Sequence, residues 1–428
     1  MVIKGDMRMF SSRRPQESRT LDGSISADAL RQLGQRGFSP DQVPVFDLAI
    51  VGLGPAGSTL ARLLAPHLSV AAVDQKHLDD WRTPEAGGPG NGGFRKPCGG
   101  LLSPDAQKAL SRFQLTLPKE LLASPQIFSV RTLDLPSGIT RHYQRFYLNM
   151  DRHRFDLWLA SLIPACASVF DRSRCDGLWK LEPGRLEQLP EGGYLLSIRR
   201  EGESRWLLSR SLAGADGANS LVRRRFFSQP IRRYLSIQQW FPQQDSPPEY
   251  LSVFDERLTD CYAWCSAKDG YAVLGAALPF QGARAAFEQL KERLSRAGFA
   301  FAAHPPVKTE ACLVNRPASL RELALADGEG SFLLGEAAGW ISPSSLEGIS
   351  YGFSSALALA NAFLSPACGS LSASRIGAAY EKNVRPLRRK LAGKLFKTPV
   401  LYTPALRRMV MRSGLAAIKP LNETGKGR

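Results

Sequence analysis

Residues 47–65 read DLAIVGLGPAGSTLARLLA, and residues 68–76 read LSVAAVDQK. Four apolar residues, Leu48 to Val51, run into Gly52-Leu53-Gly54-Pro55-Ala56-Gly57, and a helical pattern of small and apolar residues leaves it. This is G-x-G-x-x-G between a strand and a helix, the setting in which the pattern carries physical meaning. Gly52 permits the tight turn, Gly54 lets a pyrophosphate approach the backbone, and Gly57 lets helix and strand pack closely. The helix N-terminus adds unpaired N–H groups and the positive end of its dipole. Asp74 closes the second strand, 22 residues after Gly52, where a carboxylate can accept a bond from a ribose hydroxyl. The stretch predicts a βαβ start that binds a dinucleotide. By itself it does not separate FAD from NAD.

Downstream, the pattern is mixed. IFSVRTLDL (127–135) and HYQRFYLNM (142–150) alternate like paired strands, RFDLWLASLI reads as a helix, and short strands run through 178–212 and 233–278. GISYGFSSALALANAF (348–363) is rich in the strong helix formers Ala and Leu. A βαβ start, then antiparallel-looking strands, then a return to strand and helix implies a nucleotide-binding lobe built from separated segments. The expected fold is α/β: a Rossmann-like lobe over 46–115, 151–232 and 313–385. An antiparallel-sheet substrate lobe over 116–150 and 233–312 is inserted into it, and a basic helical segment follows at 386–428. Residues 1–45, Ser-, Arg- and Gln-rich, are expected to be a poorly ordered extension or the product of an upstream start, with a weak helix over Ala27 to Leu33.

Composition narrows the class. The chain has 428 residues, 43% of them hydrophobic and 22% charged, as in an ordinary globular protein of two lobes. No apolar run is long enough for a membrane span, and no secretory leader is visible. Seven dispersed cysteines fit a reducing cytosol rather than a disulfide framework. Cys261 and Cys265 lack the second pair that zinc needs, and no metal site is expected. Of the net charge of +17, the segment from Lys382 to Arg428 carries +12, from thirteen Lys or Arg and one acid, Glu423. No aromatic platform or reader motif accompanies that charge, which argues against nucleic acid. Leu387, Leu391 and Leu395 recur every four residues among the cations, with breaks expected at Pro399 and Pro404. A short helix over Ala405 to Met411 sets Leu406, Met409 and Val410 apart from Arg407, Arg408 and Arg412. Two readings stand: a solvated helix docked on the first lobe, or a face for an anionic membrane surface. A cytoplasmic protein, peripheral on the inner face of the membrane in the second case, is expected.

Two later motifs favour FAD. Gly214-Ala215-Asp216-Gly217-Ala218-Asn219-Ser220 closes one strand, and Phe332-Leu333-Leu334-Gly335-Glu336-Ala337-Ala338-Gly339 closes another. Each sets a carboxylate among small residues at a strand end, where sugar hydroxyls and close backbone approach can be met. The three motifs together resemble the para-hydroxybenzoate-hydroxylase class of flavoproteins, and within it the geranylgeranyl-reductase-like branch. Lys96-Pro97-Cys98-Gly99-Gly100 resembles that branch's PCGG-type loop near the isoalloxazine. Arg152 matches its arginine before a Phe-Asp-hydrophobic helix. Tyr262-Ala263-Trp264, with Lys268 four residues on, resembles its Y-x-W…P-K strand, with Ala267 in place of the proline. KPCGGLLSPDAQ, GADGANS, IQQWF, GEAAGWISPSSLEGISYG and PALRRMVMRSG are similar to the CbrA family of bacterial FAD-binding proteins, from about residue 46 to 418. That family shares Glu at 336, where the wider class has Asp.

The resemblance implies that Gly52, Gly54, Gly57, Asp74, Arg152, Asp216, Gly217, Gly335, Glu336 and Gly339 serve FAD. It also implies that the helix opening at Gly348 and Ile349 aims its N-terminus at the flavin, where it would stabilise the reduced anion. Cys98 is either a proton donor beside the flavin or a small buried residue. Trp240, Tyr262 and Trp264 either line an apolar substrate pocket or fill a sheet core. Three functions fit: reduction of carbon–carbon double bonds in a polyprenyl or other hydrophobic substrate, flavin-dependent monooxygenation, or a regulatory FAD-binding role. No second dinucleotide fingerprint is present, which leaves NADPH or a reduced protein as electron donor.

Overall fold

The computed structural model describes residues 24–25, 30, 38–83, 95–242, 249–299, 305–365 and 372–420. Most of the expected extension, all of the Ala27 to Leu33 helix but residue 30, and residues 84–94 lie outside these residues.

The apolar run before the glycines forms β1 (Val45–Val51), buried along its second half, and the fingerprint leads into α1 (Pro55–Leu64) and β2 (Val70–Val73). Then come β3 (Leu101–Leu102), α2 (Pro104–Arg112), β4 (Ile127–Asp134), β5 (Ile139–Asn149) and α3 (Arg152–Ser161). The next block is β6 (Ser168–Phe170), β7 (Arg174–Leu181), β8 (Gly193–Arg200), β9 (Glu203–Gly214) and α4 (Leu221–Phe226). It is followed by β10 (Arg233–Pro242), β11 (Glu249–Phe254), β12 (Ala263–Lys268), β13 (Tyr271–Leu278), α5 (Ala283–Arg296) and β14 (Lys308–Asn315). The chain closes with β15 (Ser331–Leu333), α6 (Ile349–Phe363), α7 (Ala373–Asn383), α8 (Arg385–Tyr402) and α9 (Pro404–Ser413).

Two sheets result. The first has the order β6-β2-β1-β9-β8-β7. Its β1, β2 and β6 run parallel, and β9 pairs parallel with β1 from Val45↔Leu208 to Val51↔Gly214. Long β9 changes neighbours on its other edge: β8 covers Glu203 to Ser209, and β15 takes over in parallel at Leu212 to Gly214. All three carboxylate-bearing motifs therefore leave the same edge of the sheet, where parallel strands deliver ligand-binding turns. Helices α1 and α6 pack closely here: Gly352 brings α6 against Ala56 of α1. The core of this lobe spans Leu48 to Val51, Phe332 to Leu334 and Tyr351 to Phe363.

The second sheet has the order β14-β10-β13-β12-β11-β4-β5-β3. It is antiparallel except that β11 runs parallel to β4, from Glu249↔Ser129 to Phe254↔Asp134. Its β3 comes from the segment expected in the first lobe, drawn over by the pairing Leu101↔Asn149. One face packs on α5, where Phe287, Leu290 and Leu294 meet Ile237, Phe241, Leu274 and Ala276. Strand alternation turns Gln238, Trp264, Ser266 and Gly275 to the opposite face.

Two expectations change at the ends. Ile25 and Phe38 are buried with Leu181, Leu195 and Leu208, and Ser24 bridges to Lys180, so these three residues of the expected extension belong to the first lobe. Helix α8 does not break at Pro399 but carries it inside to end at Tyr402. A proline one turn before a helix end removes little of the hydrogen-bond ladder, and the break comes at Thr403, before Pro404.

Candidate functional site

The glycine loop is held by exclusion of side chains. Gly52 has φ +98°, and a Cβ there would lie 2.6 Å from the Ala215 carbonyl oxygen. A Cβ on Gly57 would overlap the Gly52 carbonyl oxygen. Gly54 differs: a Cβ there meets no protein atom within 4 Å. Two glycines thus serve packing, and the third keeps open a space that the protein does not fill. The N-terminus of α1, like those of α5 to α9, has no side-chain cap, whereas α2, α3 and α4 are capped by Ser103, Asp151 and Ser220. Its N–H groups are left for a ligand.

Asp216 stands beside this opening. Its Oδ2 accepts from Leu221 N at 2.6 Å, while its buried Oδ1 has no partner. Burial pushes its carboxyl above the usual range, against hydrogen bonds from Ser220 and Leu221. A buried carboxylate oxygen without a donor calls for one, and a sugar hydroxyl supplies one. The open side of Gly54, the uncapped helix and this oxygen together fit a dinucleotide.

Other predicted residues are already engaged. Asp74 accepts from Leu53 N and, at 2.7 Å, from Lys76 N, so it clamps the glycine loop. Lys76, missed in the sequence, donates to Leu53 O at 2.9 Å and lies 3.4 Å from Asp74 and 3.6 Å from Asp156. Arg152 Nε donates to Asp156 at 2.8 Å, one turn along α3. Burial opposes its charge, but Asp156 and the neighbouring Cys98 hold the guanidinium above its ordinary range. A buried chain of charges thus ties the fingerprint to Arg152. The i, i+4 spacing of Arg152 and Asp156 was its one readable sign.

The Lys96–Gly100 loop gathers the rest. Lys96 pairs with Glu336, whose other oxygen accepts from Asn315 N at 2.9 Å. Burial opposes the Lys96 charge, yet the Glu336 carboxylate holds its ammonium above the usual lysine range. Cys98 lies by Arg152 and accepts from Gly100 N at 3.4 Å. Buried Lys268 donates to Gly99 O at 3.0 Å and Met150 O at 2.7 Å, and burial lowers its pKa. Cys312 Sγ sits 3.6 Å from Pro97 O, and burial pushes its thiol up to about 12. Trp264 is sandwiched: its indole fills the place of a side chain at Gly275, and Gly99 covers it on the loop side. Its Nε1, the Ser266 hydroxyl and both polar atoms of the Gln238 side chain are buried without partners.

The three aromatic candidates separate. Tyr262 and Trp264 share a cluster with Phe254 and Ile341, and the Tyr262 hydroxyl donates to Ser345 O at 2.8 Å. Trp240 lies at the β14 edge, bonded to Glu310 at 3.0 Å with Lys308 over its ring. At the start of α6, the Glu347 carboxylate takes the Ser350 N–H and hydroxyl, each at 2.7 Å. The protein therefore supplies its own anion to the helix end expected to face the flavin through Gly348 and Ile349. Gly335 and Gly339 adopt φ +57° and +92°, and Gly217 +74°, conformations that fit glycine.

Known proteins resemble this chain in fold and in sequence. The fold is similar to a geranylgeranyl bacteriochlorophyll reductase-like protein of Thermoplasma acidophilum, with TM-score 0.66 at 18% identity, over 84% of this chain and 87% of that one. It is also similar to pqsL, a probable FAD-dependent monooxygenase of Pseudomonas aeruginosa, with TM-score 0.59 at 17% identity, over 87% of this chain and 99% of that one. Both likenesses establish the fold as that of Rossmann-like flavoproteins. No protein-family profile matches the chain. Among the described residues no helix is long and apolar enough to cross a membrane. Protein CbrA of Escherichia coli O157:H7 is 44% identical over 379 residues, 88% of this chain and 99% of that protein. On this likeness the chain belongs to the CbrA family.

Proposed function

We propose that the chain is an FAD-dependent oxidoreductase that reduces carbon–carbon double bonds of a polyprenyl or other hydrophobic substrate. The observation that carries this reading is the Lys96–Gly100 loop, pinned by Lys268 from the second sheet and by Glu336 from the third motif. The loop therefore sits where a substrate held by one lobe would meet a cofactor held by the other. FAD, when bound, supplies hydride chemistry. The chain's own part begins at Gly54 and the uncapped start of α1, which receive the pyrophosphate, and at Asp216, whose free oxygen accepts from a sugar hydroxyl. Asp74, Lys76 and Asp156 keep the loop and Arg152 in place, and the Asp74 carboxylate has acceptor capacity left for a ribose hydroxyl. Trp264 and Tyr262 form the apolar wall that excludes water. The reductase-like neighbour from Thermoplasma acidophilum supports a reductase, and the pqsL neighbour shows that the same fold also serves a probable monooxygenase.

The test reduces the purified flavoprotein without oxygen and compares its reoxidation by air and by a polyprenyl lipid. Lipid-dependent reoxidation with a gain of two hydrogen atoms in the lipid is the expected result. Insertion of oxygen would replace this reading with monooxygenation, and no turnover with either would replace it with a regulatory role. The same preparation identifies the electron donor, by supplying NADPH or a reduced carrier protein and following the flavin bleach.

A further inference from the structure

The C-terminal helices expose an apolar stripe. Among the described residues, seven of the fifteen exposed large hydrophobics fall between Phe396 and Ile418. Phe396 is 84% exposed, Leu415 70% and Met409 61%, so exposed apolar side chains concentrate in this segment. The stripe follows helix geometry. In α8, Leu387 and Leu391 are buried. At about 100° per residue, Phe396 and Val400 point the other way, together with Arg385 and Arg389. In α9, Arg407 and Met411 are buried, and Leu406 and Met409 lie opposite. Among the described residues, exposed Arg385, Arg389, Lys397, Arg412 and Lys419 have no acidic partner, and no acid occurs from Lys382 to Pro420.

This surface is fixed rather than a loose tail. Arg407 Nε donates to Asp134 at 2.8 Å and its Nη2 to Glu256 at 2.9 Å, and Arg408 joins both acids. The Tyr402 hydroxyl donates to Ser344 O at 2.9 Å, and Ile418 N to His142 O at 2.8 Å. Arg407 and Arg408, which the sequence groups with Arg412 away from Leu406, Met409 and Val410, are the anchors. The cations left outside are those beside Phe396 and Met409.

We propose that this face docks on an anionic bilayer. Phe396, Met409 and Leu415 enter the headgroup boundary, and Arg389, Lys397, Arg412 and Lys419 meet lipid phosphates. An exposed apolar stripe rimmed by unpaired cations is the signature of a helix lying in a membrane interface, and negative lipid is the complement of a surface with no acid. Each cation contributes about fivefold to partitioning at low salt.

The experiment floats the full-length protein with vesicles of phosphatidylcholine alone or with one third phosphatidylglycerol. Binding to the anionic vesicles, weakened by salt, is expected. Phe396→Ser/Met409→Ser/Leu415→Ser should weaken it at least tenfold, and Arg389→Gln/Lys397→Gln should weaken it about twenty-five-fold. Equal binding by all variants overturns the proposal. So does a dimer in vesicle-free solution that the apolar triple variant converts to monomer, because the stripe would then be an interface between copies. Flavin content and lipid-dependent reoxidation in detergent are measured on the same samples. Their failure in the wild type would count against the proposed reaction and leave the docking result standing.

Discussion

Replacing Arg407 with methionine should loosen the C-terminal helices from the second sheet. The side chain is almost fully buried, stacks over Phe254 at 5.0 Å, and bonds Asp134, which is 0% exposed. Methionine keeps an unbranched apolar stem but is shorter and removes the charge. Removing one member of a buried ion pair costs about 3–5 kcal/mol, because the other is left buried and uncompensated. Asp134 would still accept from Arg408 Nε at 3.1 Å and Ser137 Oγ at 2.6 Å. The loss therefore lies at the lower end, about 3 kcal/mol, or about a hundredfold in the opening equilibrium. Urea unfolding and tryptic cleavage within α8 and α9 measure it. Adding Asp134→Leu should recover much of the loss, since an apolar pair of matching volume can replace a buried ion pair. Exposed Arg412→Met is the control. If Arg407→Met shifts the unfolding midpoint no further than Arg412→Met, Arg407 is not a buried clamp and the reasoning fails.

The same pair sets a pH dependence. Burial alone would raise the Asp134 carboxyl, but the Ser137 hydroxyl and the guanidinium groups of Arg407 and Arg408 hold it below the usual range. A depressed carboxylate gives stability that is complete above its unfolded value, near 3.9, and lost as pH falls through the folded one. The acid limb of a stability–pH curve should therefore move to higher pH in Arg407→Met, and an unchanged limb would contradict the pairing. Gly275→Ala places a Cβ 2.7 Å from Trp264 Nε1. It should cost about 1–3 kcal/mol by overpacking and change tryptophan emission, with stability restored by Trp264→Leu. Lys268→Met leaves two buried carbonyls without a donor, at about 1–3 kcal/mol each. Its expected result is rapid proteolysis at Lys96–Gly100 with flavin content retained.

What could be read in the sequence was local. Leu48 to Val51, the three glycines and Asp74 lie within one βαβ unit, and their spacing specifies the turn, the helix and the open side of Gly54. The apolar spacing of Phe287, Leu290 and Leu294 marks helix α5 as well, although strand signals flank it. The long-range pairings were not legible. Lys96 meets Glu336 across 240 residues, and Arg407 meets Asp134 across 273. Nothing in a sequence distinguishes Arg407, buried in α9, from exposed Arg412 five residues on, until β4 and β11 are paired and bring Asp134 and Glu256 together. The parallel pairing of β11 with β4 is likewise fixed by tertiary context, since alternation specifies a strand's faces but not its neighbour. Asp74 and Glu336 were found as site residues by position, but their hydrogen bonds go largely to the protein. The oxygen left for a ligand is that of Asp216.

Whether a dinucleotide enters at the fingerprint is tested most directly by Gly54→Val. A side chain there meets no protein atom within 4 Å, so the fold should tolerate it, while the space for the pyrophosphate is filled. The measurement is the flavin bound per chain after purification, beside circular dichroism and thermal unfolding of the same samples with FAD removed. The predicted result is a variant that folds like the wild type and carries little or no FAD. A folded Gly54→Val protein with a full complement of FAD would contradict the account.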